Sequence, residues 1–248
     1  MTEEYSNLIM QFLNCDCELF SNDRTQEEIV TRFNELTEQG EIDGYYPLIV
    51  IVSDILEELF EILMEGNNIE DTPEGIAAYR QNIIDTANKI DAEMLLSIRL
   101  NKIQESLNNA NYDILGQFVS AESVNEINLH MRLSELSGEV VIAKIPTKNP
   151  WELAAWIPMG GVNECPAPVE QVAVFRYWYE KYGAVPSVVA YDSWQLAQIK
   201  QPLSNEEAES LAKEQFAFCN DIVSQWAKSI RELASILKNS GVWFFWWD

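Results

Sequence analysis

Residues 46–52 run Tyr-Pro-Leu-Ile-Val-Ile-Val. Seven residues without a charge stand together in a chain whose residues are 23% charged. The run is β-branched and continuous, not alternating, which is the pattern of a strand buried on both faces. Such a strand cannot exist in a two-layer protein with one wet face. It needs a sheet with covering layers on both sides. Three further stretches read as strands: Val140–Ile145, closed by Pro146, then Ser187–Tyr191, ending at Asp192, and the apolar run Val242–Trp247. Helical segments separate them. The expected fold is α/β, a mixed sheet flanked by helices, with a mostly helical, acidic N-terminal portion.

The helical segments carry start and stop signals. Residues 3–14 and 25–38 read as amphipathic helices. In the second, Thr25 caps, Glu27 and Glu28 fill the first turn, Ile29, Phe33 and Leu36 recur at helical spacing, and Gly40 ends it. Ser53 or Asp54 caps a helix running to about Met64, followed by a Gly66-Asn67-Asn68 loop. Pro73 opens a helix that runs, with one break, to about Leu107. Asp113–Val119 and Glu152–Ile157 read as short strands. A helix over 168–182 ends at Gly183, and its Trp and Tyr residues are expected against the sheet. Ser204 caps a helix over 205–218, and a last one spans 222–239.

Charge is unevenly distributed. The net charge is −24, and 28 of the 40 Asp and Glu residues lie in residues 1–140 with only 7 of the 16 Lys and Arg. A field of that sign repels phosphate backbones and anionic membranes, so direct nucleic-acid or membrane binding is not expected. A basic protein is the partner it would attract. All eight tryptophans lie beyond residue 145. Composition thus divides the chain into an acidic, mostly helical region 1–139 with one buried strand, and an α/β region 140–248; the two read equally as one fold or two. Cys15, Cys17, Cys165 and Cys219 make no zinc spacing, and His130 is the only histidine. Neither a metal nor another cofactor is expected. His130 has no obvious partners and reads as a surface group. The Glu57, Glu58, Glu61 and Glu65 series reads as a solvated helix face. Met1-Thr2-Glu3-Glu4 has no basic signal-peptide start, and no stretch approaches a membrane span. A cytoplasmic protein with reduced thiols is expected.

Four blocks are recognisable in order. They are Pro150-Trp151-Glu152-Leu153-Ala154-Ala155-Trp156-Ile157-Pro158-Met159-Gly160-Gly161-Val162-Asn163-Glu164-Cys165-Pro166, then Tyr177-Trp178-Tyr179-Glu180-Lys181-Tyr182-Gly183-Ala184, then residues 211–221, and the ending Val242-Trp243-Phe244-Phe245-Trp246-Trp247-Asp248. Together they resemble the signature of the bacterial DUF4253 family over about residues 140–248. Ahead of that the similarity is confined to the Tyr-Pro-Leu-Ile-Val stretch. The resemblance implies a family without an assigned activity. One departure is Val162, where such proteins usually carry an aromatic residue; a pocket lined by that ring would be altered here.

Within these blocks, four groups could carry a site. In the loop at 158–166, Gly160 and Gly161 permit a sharp turn, and Asn163, Glu164 and Cys165 offer an amide, a carboxylate and a thiol. A tight turn alone also explains these residue types, with Cys165 buried as a small hydrophobe. Asp192 ends a strand, where α/β sheets place ligand groups, though Asp is also an ordinary turn residue. Cys219 could approach Cys165, and Asn220 or Asp221 could simply cap the last helix. In the final strand, Trp243, Phe245 and Trp247 face one side and Phe244 and Trp246 the other. That strand is core, or an aromatic wall of a cleft with Asp248 at its rim. Trp151 joins these as a binding candidate.

Two functions are compatible with this reading. One is a non-catalytic binding protein, such as an immunity-type inhibitor that covers a basic toxin or nuclease. The other is an enzyme or small-ligand binder with its site at the Gly160–Cys165 loop.

Overall fold

The computed structural model describes residues 2–21, 23–56, 58–59, 69–70, 72–109, 114–129, 139–157, 159–161 and 163–248. Expectations resting on Met64, Gly66, Asn67, Asn68, Asp113, His130 and Val162, and on Glu57, Glu61 and Glu65, fall outside these residues. Among the described residues the strands are β1 (Asp16–Phe20), β2 (Tyr46–Ile51), β3 (Val140–Ile145), β4 (Val185–Val189), β5 (Ser193–Ala197) and β6 (Trp243–Trp246). The helices are α1 (Thr2–Leu13), α2 (Gln26–Asp43), α3 (Pro73–Ala87), α4 (Ala92–Asn109), α5 (Leu153–Trp156), α6 (Pro168–Tyr182), α7 (Asn205–Phe218) and α8 (Ile230–Leu237). The protein is α/β, with one mixed sheet in the order β1-β3-β2-β4-β5-β6. Only β2 and β4 are parallel. β3 lies between β1 and β2, so strands from both compositional regions share one sheet.

The uncharged run at 46–52 forms the middle of that sheet. Leu48, Ile49, Val50 and Ile51 are at most 1% exposed. Alternation sends Ile49 and Ile51 toward Ile29, Phe33 and Leu36 of α2. Leu48 and Val50 join the larger core on the other face, with α1, α6 and the last helices. Thr25 and Glu28 form the expected cap of α2: Glu28 N–H donates to Thr25 Oγ1 at 3.2 Å and Thr25 N–H to Glu28 Oε2 at 2.8 Å. Gly40 does not end this helix, which continues to Asp43 and stops at Gly44 in the left-handed region. Gly40 serves close packing instead, since a Cβ there would stand 2.4 Å from the Tyr45 carbonyl oxygen.

Five other expectations are corrected. Residues 152–157 are a 3₁₀ turn (Pro150–Glu152) running into α5, not a strand. Pro150 suits a helical start, and Asn149 Nδ2 and Thr147 Oγ1 donate to Glu152 across the turn. Residues 114–119 join no sheet. The Ile114 and Leu115 carbonyls accept from Ile230 and Arg231, strapping this segment to the start of α8. The strand expected at 187–191 is centred two residues earlier, as β4. The helix expected over 222–239 is a π-helical turn (Ile222–Ala227) followed by α8, separated by Lys228 at φ 59°. Ser229, not Asn220 or Asp221, caps α8.

The large core is aromatic. Trp178 of α6 is fully buried, stacks on Phe245 at 5.4 Å and meets the edges of Phe218 and Trp243. Its indole N–H donates to Glu214, which also accepts from Lys181 and Tyr177. The last strand alternates as its sequence requires: Trp243, Phe245 and Trp247 are at most 3% exposed, while Phe244 and Trp246 are half-buried. Each large apolar side chain buried in this way contributes about 1.5–3 kcal/mol. Deleting residues 243–248 is therefore expected to leave an insoluble chain. A soluble truncation with a cooperative melt would contradict a core role for β6.

The edge strand β1 is held by charge. Glu18 accepts from Arg32 through two bonds of 2.8 Å and pairs with Lys144 at 3.1 Å. Arg32 first, then Lys144, holds the Glu18 carboxyl at about 2, below its ordinary 4.5. A carboxylate lowered on folding adds stability above its unfolded pKa and loses it as pH falls through the folded one. All three side chains are partly exposed, which screens the effect. Glu18→Gln is expected to cost about 1 kcal/mol at pH 7, with the deficit gone near pH 2, as read by urea denaturation across that range.

Candidate functional site

In open α/β sheets, ligand groups gather beyond the carboxyl ends of the parallel strands. β4 ends at Val189, and the turn Ala190–Asp192 leads back into β5. Beside it lies the loop between α5 and α6. Buried Gln171 of α6 acts as its post: Nε2 donates to the carbonyls of Met159 and Pro166, both at 2.8 Å, and Oε1 accepts from Trp194 Nε1 at 2.9 Å. Gly161 N–H donates to the Cys165 carbonyl at 3.0 Å and closes the loop. At Gly160, φ is 109° and a Cβ would stand 2.3 Å from the Pro166 carbonyl oxygen, so both conformation and space require glycine.

Asn163 (φ 48°) and Glu164 (φ 63°) are exposed and left-handed without being glycine. Two such residues in one short loop store backbone strain. Strain of this kind persists where the surrounding contacts fix it. Here the Glu164 carbonyl accepts from Arg99 Nη2 at 2.9 Å. Arg99, on α4, also donates from Nε to the Ala217 carbonyl at 3.1 Å and pairs with Glu170 at 3.4 Å. It joins the acidic region to the loop and to the end of α7. No local signal marks it, because one arginine on an amphipathic helix reads as a surface charge. A cleft of about 130 Å³ opens here, with Arg99, Lys102, Glu164, Phe218 and Asn220 in its wall.

The two thiols beneath this loop are buried and unreactive by environment. Cys165 is pushed well above the ordinary thiol range by burial and then by the charge of nearby Cys219. Cys219 is pushed up to about 12, chiefly by burial, and donates to the Trp246 carbonyl at 2.9 Å. Both are free thiols, and a neutral buried thiol is a poor nucleophile and metal ligand. Among the described residues no three His, Cys, Asp or Glu side chains converge as a metal site would require. The last segment is pinned nearby, with Trp247 N–H donating to the Asp192 carbonyl at 3.0 Å and Asp248 N–H to Asp221 Oδ2 at 3.2 Å. Asp221 also accepts from Ser224 and Gln225. Trp246 stacks on Phe244 at 5.2 Å and meets Trp226 edge-on.

Gly160, Gly161, Asn163, Glu164, Cys165, Asp192, Cys219, Asp221, Trp246 and Asp248 thus gather at one end of the sheet. Trp151 does not join them. It packs on Tyr179, near the C-terminal end of α6, with ring centroids 5.1 Å apart. No helix among the described residues is long and apolar enough to cross a membrane.

The post residue gives a direct check of this geometry. Gln171→Leu would strand three buried polar groups, each costing about 1–3 kcal/mol. We expect a large loss of stability by denaturant titration, and Cys165, protected in the parent at pH 8, should react with an aromatic disulfide reagent before global unfolding. Unchanged stability with Cys165 still protected would show that Gln171 does not hold the loop.

No curated protein and no solved structure matches the chain. Residues 141–248 match the family described as a domain of unknown function (DUF4253), the span that begins with β3 and takes in the whole loop. That span holds the four blocks whose order in the sequence resembles the same family.

Proposed function

We propose that the protein is a non-catalytic binding protein that receives a basic protein partner on the outer face of α2, as an immunity-type inhibitor covers a basic toxin or nuclease. The observation that carries this reading is an unneutralised stripe. Glu27, Glu38 and Glu41 lie on the face of α2 opposite buried Ile29, Phe33, Leu36 and Gly40, and none has a basic partner among the described residues. Beside them Ile42 is 86% exposed. At 1.5 Å per residue the stripe from Glu27 to Ile42 is about 22 Å long, the reach of a modest interface. Carboxylates around one apolar anchor suit a basic partner with an apolar pocket, and charge of this sign steers encounter while excluding phosphate backbones and anionic membranes. A cytoplasmic setting, where thiols stay reduced, accords with four free cysteines.

A small-ligand function at the Arg99 cleft is the second reading, favoured by the strained Asn163–Glu164 pair. Against it, Arg99 already bonds two carbonyls and a carboxylate, and the thiols there are neutral.

The test compares the parent chain with a Glu27→Lys, Glu38→Lys variant and a Glu164→Gln, Asp192→Asn variant as bait in a lysate of the source organism. Salt of about 50 mM and about 500 mM brackets the screening of surface charge. We expect one basic protein, held by the parent at low salt, released at high salt, lost by the α2 variant and kept by the loop variant. Retention by the α2 variant, or its loss from the loop variant alone, would refute the α2 face as the binding surface.

A further inference from the structure

At the opposite end of the sheet lies a larger cavity, about 320 Å³. Tyr45 and Tyr46 at the start of β2, Tyr179 near the end of α6, and Gln198 after β5 form its walls, with Glu41 of α2 and Lys148 after β3 also lining it. Its geometry is built rather than incidental. Gly40 has no room for a side chain because Tyr45 packs there, and Trp151 packs on Tyr179 and fixes that ring. The Tyr45 hydroxyl is buried without a hydrogen-bond partner.

The charges are the informative part. Glu41 and Lys148 line the same cavity, yet they do not pair with each other, and neither has another ion-pair partner among the described residues. Two opposite charges that do not pair with each other match a ligand that carries both signs. Tyr45, Tyr46 and Tyr179 give the cavity aromatic walls, and the size agrees: a cavity of about 150 Å³ holds a benzene ring, so twice that space takes a ring and a polar head group. We infer that this cavity binds a zwitterion with an aromatic side chain, an aromatic α-amino acid, its carboxylate at Lys148, its ammonium at Glu41 and its ring among Tyr45, Tyr46 and Tyr179. Trp151, separated from the other candidate residues, acquires a role as the positioning residue of this site. The inference does not depend on a protein partner at α2, although Glu41 belongs to both surfaces.

The experiment is a chemical-shift titration of the full chain with three probes: L-phenylalanine, phenethylamine, which lacks the carboxylate, and 3-phenylpropionate, which lacks the ammonium. L-phenylalanine should bind saturably, and each truncated probe about tenfold more weakly, the equivalent of about 1.4 kcal/mol. Lys148→Met should weaken L-phenylalanine about tenfold and leave phenethylamine unchanged; Glu41→Gln should weaken L-phenylalanine and leave 3-phenylpropionate unchanged. Both side chains are exposed, so neither change threatens folding. Absence of saturable L-phenylalanine binding, equal affinity for all three probes, or indifference to both substitutions would overturn the assignment. Because no protein partner is present and Lys148 lies outside α2, these results are independent of the α2 surface.

Discussion

β2 and β3 must be covered on both faces, and the remaining architecture follows from that demand. Val140, Val141, Ile142 and Ala143 of β3 and Leu48 through Ile51 of β2 are almost wholly removed from water. One layer cannot hide both sides of such strands. α2 covers one face through Ile29, Phe33 and Leu36, and the α6 layer with its aromatic cluster covers the other. β3 is where the family segment begins, yet its partners on both sides, β1 and β2, come from the acidic region. The segment therefore draws two of the sheet's six strands from outside itself. Removing the first 140 residues would uncover both edges of β3 and one face of the core.

What was legible in the sequence was what depends on local pattern. The β2 and β3 runs, the Thr25 and Ser204 caps and the alternation of the last strand are periodic or positional signals, and each appears in the fold. What was missed depends on distant partners. β5 was hidden because Ser193 and Gln195 read as exposed polar residues. Both are about 4% exposed, and Gln195 is satisfied by the Asn128 backbone, donating at 2.7 Å and accepting at 2.9 Å. β1 was hidden because Asp16 and Glu18 look unlike a strand; Arg32 and Lys144 make Glu18 acceptable there. The loop was recognised as a turn, but Gln171, which holds it, sits a full turn into α6 and looks like any surface glutamine. Cooperation across the fold leaves no mark at the position itself.

Arg80 shows the same effect with a charge. It is 7% exposed and pairs with no carboxylate among the described residues; its guanidinium donates to the Phe12 and Leu13 carbonyls and lies over the Phe12 and Trp156 rings. Burial lowers its pKa to about 10, which leaves it charged at neutral pH. The carbonyls at the end of α1 carry the negative end of the helix dipole, and the rings add their own negative faces. One cation thus ties α1 and α3 to α5, so the acidic region and the family segment share a buried electrostatic contact.

This use of cations leaves carboxylates unneutralised at the surface. Of the few Lys and Arg residues in the first 140 positions, Arg80 and Arg99 bond mainly to backbone carbonyls. Those bonds stabilise helix ends and the strained loop without neutralising carboxylates. Arg24 and Arg32 pair with Glu28, Glu18 and Glu35. Glu27, Glu38 and Glu41 on the exposed side of α2 keep no ion-pair partner among the described residues. Excess charge alone would serve solubility wherever it was placed. Along α2 it surrounds an exposed isoleucine, and a cation from outside the chain can neutralise it there.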